Sequence, residues 1–173
     1  MSGQAWAHVI AVSGSVLALL GVVVGGLLAA RAQSRHWRFS EQADACAAFL
    51  AAYAGVYLAH VEAVRSGTAA TAQHTSDFVD WAQFNEALEA LNIRADAEIA
   101  QAAHDLDASL WRVGRELLRR PISLTEWAAQ RRALDEAKLT FVNVCRSRLV
   151  RGAGRLNTLS GRPADDDPIW AAP

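Results

Sequence analysis

The chain of 173 residues carries 17 basic and 18 acidic side chains, a net charge of −1. That balance argues against nucleic-acid binding, which calls for a clustered basic surface. Sixteen of the basic residues are Arg and only Lys138 is Lys, with Ala abundant, a bias of the kind a GC-rich bacterial genome produces.

From Trp6 to Ala30 there is no Asp, Glu, Lys or Arg, and Arg31, Arg35 and Arg38 follow at once. Spanning ~30 Å of hydrocarbon at ~1.5 Å per residue takes ~20 apolar residues in a helix. Residues 7–30 are therefore expected to form one transmembrane helix, with residues 1–6 a short extracytoplasmic terminus. Two other readings compete. A signal peptide would have a positive start, a shorter apolar core and a small-residue cleavage site; Ala30-Arg31-Ala32 offers only the last of these. A buried helix of a soluble core would need protein on every side of so uniformly apolar a run.

Positive residues within ~15–20 positions of a span stay cytoplasmic. They lie only on its C-terminal side here, which places the amino terminus outside and the bulk of the chain in the cytoplasm. Trp6 and Trp37 sit where indole rings settle at a membrane interface, and Arg31, Arg35 and Arg38 can meet anionic headgroups. Within the span, Gly14, Ala18, Gly21, Gly25 and Ala29 fall along one side of a helix. Gly21 to Gly25 is a GxxxG pattern, and small residues of this kind let two helices approach closely in lipid. A homo-oligomer through this stripe is expected, or pairing with another protein's span.

Outside the span, roughly 120 residues are enough for one core. From Arg35 to Arg65 there is no Pro and only Gly55. Phe39, Cys46, Tyr53 and His60 form one seven-residue row and Ala43, Leu50, Tyr57 and Val64 another, together one helical stripe. The span may run directly into this helix or turn near Ser34 or Ser40, and Ser66-Gly67 supplies a stop. After a small, polar loop, Thr75 or Ser76 can cap a helix with Asp77 and Asp80 in its first turn, buried through Phe78, Trp81, Phe84, Leu88 and Leu91. The pattern slips between Asn92 and Asp96. Either Asp96 caps a new helix, with Ile99, Ala103, Leu106, Leu110, Val113 and Leu117 as its stripe, or one helix bends there. Arg119, Arg120 and Pro121 close this segment.

Ser123-Leu124-Thr125-Glu126 matches the capping box, in which each side chain satisfies the other's backbone N–H. Ile122 and Trp127 flank it as a hydrophobic staple. The last helix then presents Trp127, Leu134, Phe141 and Cys145 and ends near Gly152. No stretch alternates with period two, so no sheet is expected. The fold class is all-α: a transmembrane helix, then an antiparallel bundle of about four helices over residues 31–152. Residues 153–173, rich in Gly, Pro and Asp, are expected to be a disordered tail. Trp170 within it is a candidate docking anchor.

Candidate chemistry is sparse. There is no Glu-x-x-His, no His-Glu-x-x-His and no close cysteine pair, so no metal or other cofactor is expected. No Gly-x-Ser-x-Gly elbow or phosphate-binding loop occurs either, and Asp165-Asp166-Asp167 reads as a solvated charge run. Cys46 and Cys145 are expected to be reduced packing residues. His60, alone among the histidines, lies squarely in an apolar stripe, where a core residue hydrogen-bonded to a neighbouring helix is expected; His74 and His104 look exposed.

Gly21-Val22-Val23-Val24-Gly25-Gly26 in the span, Trp37-Arg38 after it and Ala47-Ala48-Phe49-Leu50 in an Ala-rich helix resemble small uncharacterised single-pass membrane proteins of actinobacteria. A weaker likeness extends over Ala87 to Leu91 and Ala97 to Ala103. The resemblance implies a membrane helix followed by an Ala- and Arg-rich cytoplasmic helical domain, and it brings no activity with it.

Three functions are compatible with these features. A membrane-tethered interaction scaffold or small regulatory subunit, without catalysis and with an unidentified protein partner, fits them most directly. A sensor would bind a small apolar ligand among Tyr53, Tyr57 and His60, and needs space in the bundle core. A phage-type membrane-lesion protein is the third, although a sizeable bundle after one span suits it less.

Overall fold

No proline interrupts the first 120 residues, and the chain starts with a single long helix, α1, Gly3–Ser66. The computed structural model describes residues 3–66 and 81–158, with side chains from residue 25 onward except at position 35. Among the described residues three more helices follow: α2 (Trp81–Arg94), α3 (Ala97–Arg119) and α4 (Leu124–Leu149). The protein is all-helical, and α1 is long and apolar enough to cross a membrane. The chain divides into two units, Met1–Glu41 and Gln42–Pro173.

In the first unit, the helix passes both serines without a turn. The Ser34 hydroxyl donates to the Arg31 carbonyl 3.1 Å away, a bond made within the helix itself. Gly25, Ala29, Arg31, Trp37 and Arg38 are all exposed. The side chains of Trp6, Gly14, Ala18, Gly21 and Arg35 lie outside the described residues. So do His74, the capping and first-turn positions Thr75 to Asp80, and the tail from Leu159, including Asp165 to Asp167 and Trp170.

In the second unit, the helix boundaries follow local chemistry. Between α2 and α3 the chain breaks at Ala95 and Asp96. The Asp96 carboxylate then accepts the Ile99 N–H at 3.1 Å, so α3 starts with a side-chain cap rather than as a continuation of α2. Both halves of the capping box form at Ser123 and Glu126, and Ile122 and Trp127 beside it are buried. At the other end α4 stops at Leu149, three residues before Gly152. That glycine takes φ +74° in the turn that follows, a left-handed conformation open to it because it lacks a Cβ.

Shared partners give the directions of the helices. Cys46 of α1 meets Cys145 of α4, whereas Tyr57, further along α1, meets Trp127 near the start of α4, so these two helices are antiparallel. His60 of α1 meets Trp81 at the start of α2 and Gly114 near the end of α3, which makes α2 and α3 antiparallel as well. Asn92 and His104, 3.0 Å apart, join those two helices beside their turn. His104 is thus exposed, as its sequence position suggests, but not without a partner.

The core is apolar and rich in aromatic rings. Phe49 packs on Phe84 and Phe141 at ring-centroid distances of 5.3 and 5.1 Å, and Trp81 meets Phe84 edge-on. The heptad reading of α1 needs correcting here. Phe39 is 49% exposed and Ala43 is exposed, while Ala45, Phe49, Ala52 and Val56, which belong to neither row, are buried. Three helices cover α1 rather than one, so its buried face is wider than a two-helix seam and turned toward Phe49 and Val56.

The start of the tail also departs from expectation. Asn143 donates to the Leu156 carbonyl and accepts the Leu156 N–H, at 2.9 and 2.8 Å. This reciprocal pair ties the chain after Gly152 back onto α4, and composition gives no sign of it.

Candidate functional site

The three residues offered as a ligand pocket are all brought into the bundle, but not to one place. Tyr53 stacks on Tyr57 at 6.0 Å, and Tyr57 reaches Trp127 of α4, also at 6.0 Å. Lys138, again on α4, sits 5.4 Å above the Tyr53 ring, within range of a cation–π contact. His60 turns instead toward α2 and α3. Its ring lies 6.4 Å from that of Trp81, and a Cβ added at Gly114 would stand 3.3 Å from its Nε2. A glycine near the end of α3 is what lets the imidazole fit there.

His60 is 1% exposed, and among the described residues neither ring nitrogen has a hydrogen-bond partner. This corrects the expectation of a histidine bonded to a neighbouring helix. Burial alone pushes its pKa down to about 4, because the charged ring would lose its water and find no counter-charge. At neutral pH it is a neutral, polar ring in an apolar setting.

The cysteines are the second constellation. Cys46 and Cys145 are both buried and free, and their sulfurs are 3.3 Å apart, with Cys145 donating to Cys46. That bond lowers the pKa of Cys46 and raises that of Cys145, and burial and Asp96 push both upward. Close by, Arg148 of α4 pairs with Glu98 and lies 3.8 Å from Asp96, linking the end of α4 to the start of α3.

The third constellation is a groove of about 490 Å³ between α3 and α4. Arg112, Arg115 and Arg119 line it, with Ser109, Gln130 and Leu134. Arg115 lies over the ring of the exposed Trp111 at 4.7 Å, and Arg119 and Arg120 pair with Glu116. None of Tyr53, Tyr57 and His60 borders this groove. The i, i+3, i+7 spacing of its arginines was the available sequence signal.

Among the described residues, no group of three or more His, Cys, Asp or Glu side chains is placed to hold a metal ion. No family model, no curated protein and no solved structure matches the chain.

Proposed function

We propose that this protein is a membrane-tethered helical interaction module, a scaffold or small regulatory subunit that works through its surfaces. The observation that carries this reading is how the side chains a ligand would need around a cavity are already occupied: Tyr53 stacks on Tyr57 beneath Lys138, Tyr57 meets Trp127, and His60 sits against Trp81 and Gly114. Such packing favours a scaffold over a sensor of a small apolar ligand. No catalytic step and no cofactor belong to this reading.

The tether is the early part of α1. Residues 42 to 66 bury one face among the other helices, which leaves the uncharged run of residues 7–30 to cross the bilayer. Leu27 and Leu28 are more than half exposed, as side chains facing lipid would be. The three arginines after the run favour an amino terminus outside and a bundle in the cytoplasm. The partners are then the bilayer, an unidentified protein, and a second copy through Gly14, Ala18, Gly21, Gly25 and Ala29. A Cβ at Gly25 would meet nothing within 4 Å, so this position is free for a neighbouring helix.

Crosslinking in native membranes, or a membrane two-hybrid assay, tests this. Gly21→Ile and Gly25→Ile are expected to weaken association, and Val23→Ile, on the opposite side of the helix, to leave it unchanged. Equal signals from all three variants would remove the stripe as a contact surface. Capture from membranes in mild detergent that recovers neither a second copy nor a protein partner would overturn the scaffold reading.

A further inference from the structure

The two cysteines are the only ones in 173 residues. They lie 99 positions apart, and the fold brings their sulfurs to 3.3 Å in a buried site between α1 and α4. Packing alone asks for no such pairing, since any small apolar side chain fills a gap between helices. From this placement we propose that Cys46 and Cys145 are an oxidation site: a reversible dithiol–disulfide couple that, in its oxidised form, clamps the end of α4 to α1.

The geometry asks for little movement. A disulfide holds its sulfurs ~2.05 Å apart, so closure shortens the present contact by about 1.2 Å, within the reach of small side-chain rotations. The two thiols are also unequal. Cys145 donates its S–H to Cys46, which stabilises negative charge on the Cys46 sulfur and holds the proton on Cys145. With the proton placed this way, Cys46 is favoured as the attacking sulfur and Cys145 as the resolving one.

With hydrogen peroxide as oxidant, the Cys46 thiol loses its proton to water and its sulfur attacks one peroxide oxygen. The O–O bond breaks, an S–OH group forms on Cys46, and the departing hydroxide takes up a proton to become water. The Cys145 sulfur then attacks the Cys46 sulfur. An S–S bond forms, the S–O bond breaks, and the hydroxyl leaves as water with the Cys145 proton. Two thiols and one peroxide become one disulfide and two waters: the sulfurs lose two electrons and the peroxide gains them. A dithiol reductant reverses the change by exchange.

The consequence lies at the end of α4. In the reduced protein that end is held by the exposed pair of Arg148 with Glu98 and by the Asn143–Leu156 bonds, together with local packing. Exposed ion pairs of this kind contribute little. A small oxidant reaches the buried sulfurs only when this last turn opens, and the disulfide then replaces weak contacts with a covalent link across a loop of about 100 residues.

The test uses the full chain in mild detergent, treated with hydrogen peroxide, denatured, alkylated and mapped by mass spectrometry. Loss of both thiols, a peptide pair joining Cys46 to Cys145, and recovery of both thiols with dithiothreitol are expected. The oxidised chain should run as a monomer on a non-reducing denaturing gel and unfold roughly 10 °C higher than the reduced one. In Cys145→Ser, dimedone should trap a sulfenic acid at Cys46, whereas in Cys46→Ser the remaining thiol should stay largely unreacted. Two free thiols after peroxide treatment of the native chain would overturn the couple, as would a disulfide joining two chains. Both results are read on the unsubstituted protein and do not depend on the variants folding.

Discussion

Lowering the pH should unfold this bundle through one residue, His60. An unfolded histidine titrates near 6.5, while burial holds the folded imidazole at about 4. Between those values the unfolded chain binds a proton that the folded one refuses. Stability is complete above pH 6.5, falls as pH drops through this window, and loses no more from this group below about pH 4. The full shift corresponds to about 3 kcal/mol, and about 2 kcal/mol of it is lost by pH 5. Among the described residues, the carboxyl groups of Glu126 and Asp107 are also shifted. Glu126, pulled to about 2 mainly by Arg120, contributes stability that is present above pH 4.5 and lost as pH falls through 2. Asp107 is pushed upward by burial. Comparison with His60→Leu cancels both. Leucine is close to histidine in volume and places no unpartnered nitrogen beside Trp81, so this variant should match or exceed the native chain at pH 7. Urea unfolding of the full chain in mild detergent, followed by circular dichroism from pH 7 to 4.5, reads the difference. The native chain should lose about 2 kcal/mol more than the variant by pH 5. Parallel losses in the two proteins would refute the assignment, showing that His60 takes up its proton in the folded state.

At the start of α4, Ser123→Ala removes the acceptor of the Glu126 N–H and should cost about 1 kcal/mol, seen as a lower urea midpoint; an unchanged midpoint would place the helix start elsewhere. A carboxylate at an exposed helix end is ordinarily replaced by water at small cost, but Glu126 accepts from the Ser123 N–H and hydroxyl and from both terminal nitrogens of Arg120. Glu126→Ala should therefore lower the midpoint measurably at pH 7, and its difference from the native chain should close near pH 2. For topology, a cysteine introduced at Ser2 should react with an impermeant thiol reagent in intact cells and one at Thr71 should not. The native thiols are buried and add little background, and labelling at Thr71 alone would reverse the proposed orientation.

Helix positions were legible in the sequence wherever the cause is local. A capping box needs only residues three apart, so Ser123 and Glu126 could be read directly, as could the stripe from Ile99 to Leu117, whereas Asp96 was legible only as one of two alternatives, a cap or a bend. The uncharged run from Trp6 to Ala30 likewise sets the length and apolarity of the early part of α1 without reference to any partner. Tertiary structure decided what depends on several helices at once. An apolar stripe tells which side of α1 is buried, but the width and centre of that side depend on how many helices cover it, so Phe49 and Val56 took the place of Phe39 and Ala43. Register between helices likewise leaves no local trace. It alone brings Cys46 to Cys145, sets His60 against Gly114 and Trp81, and folds Leu156 back onto Asn143. In each case the contact joins residues distant in sequence, and side-chain packing across the assembled bundle determines which of them meet.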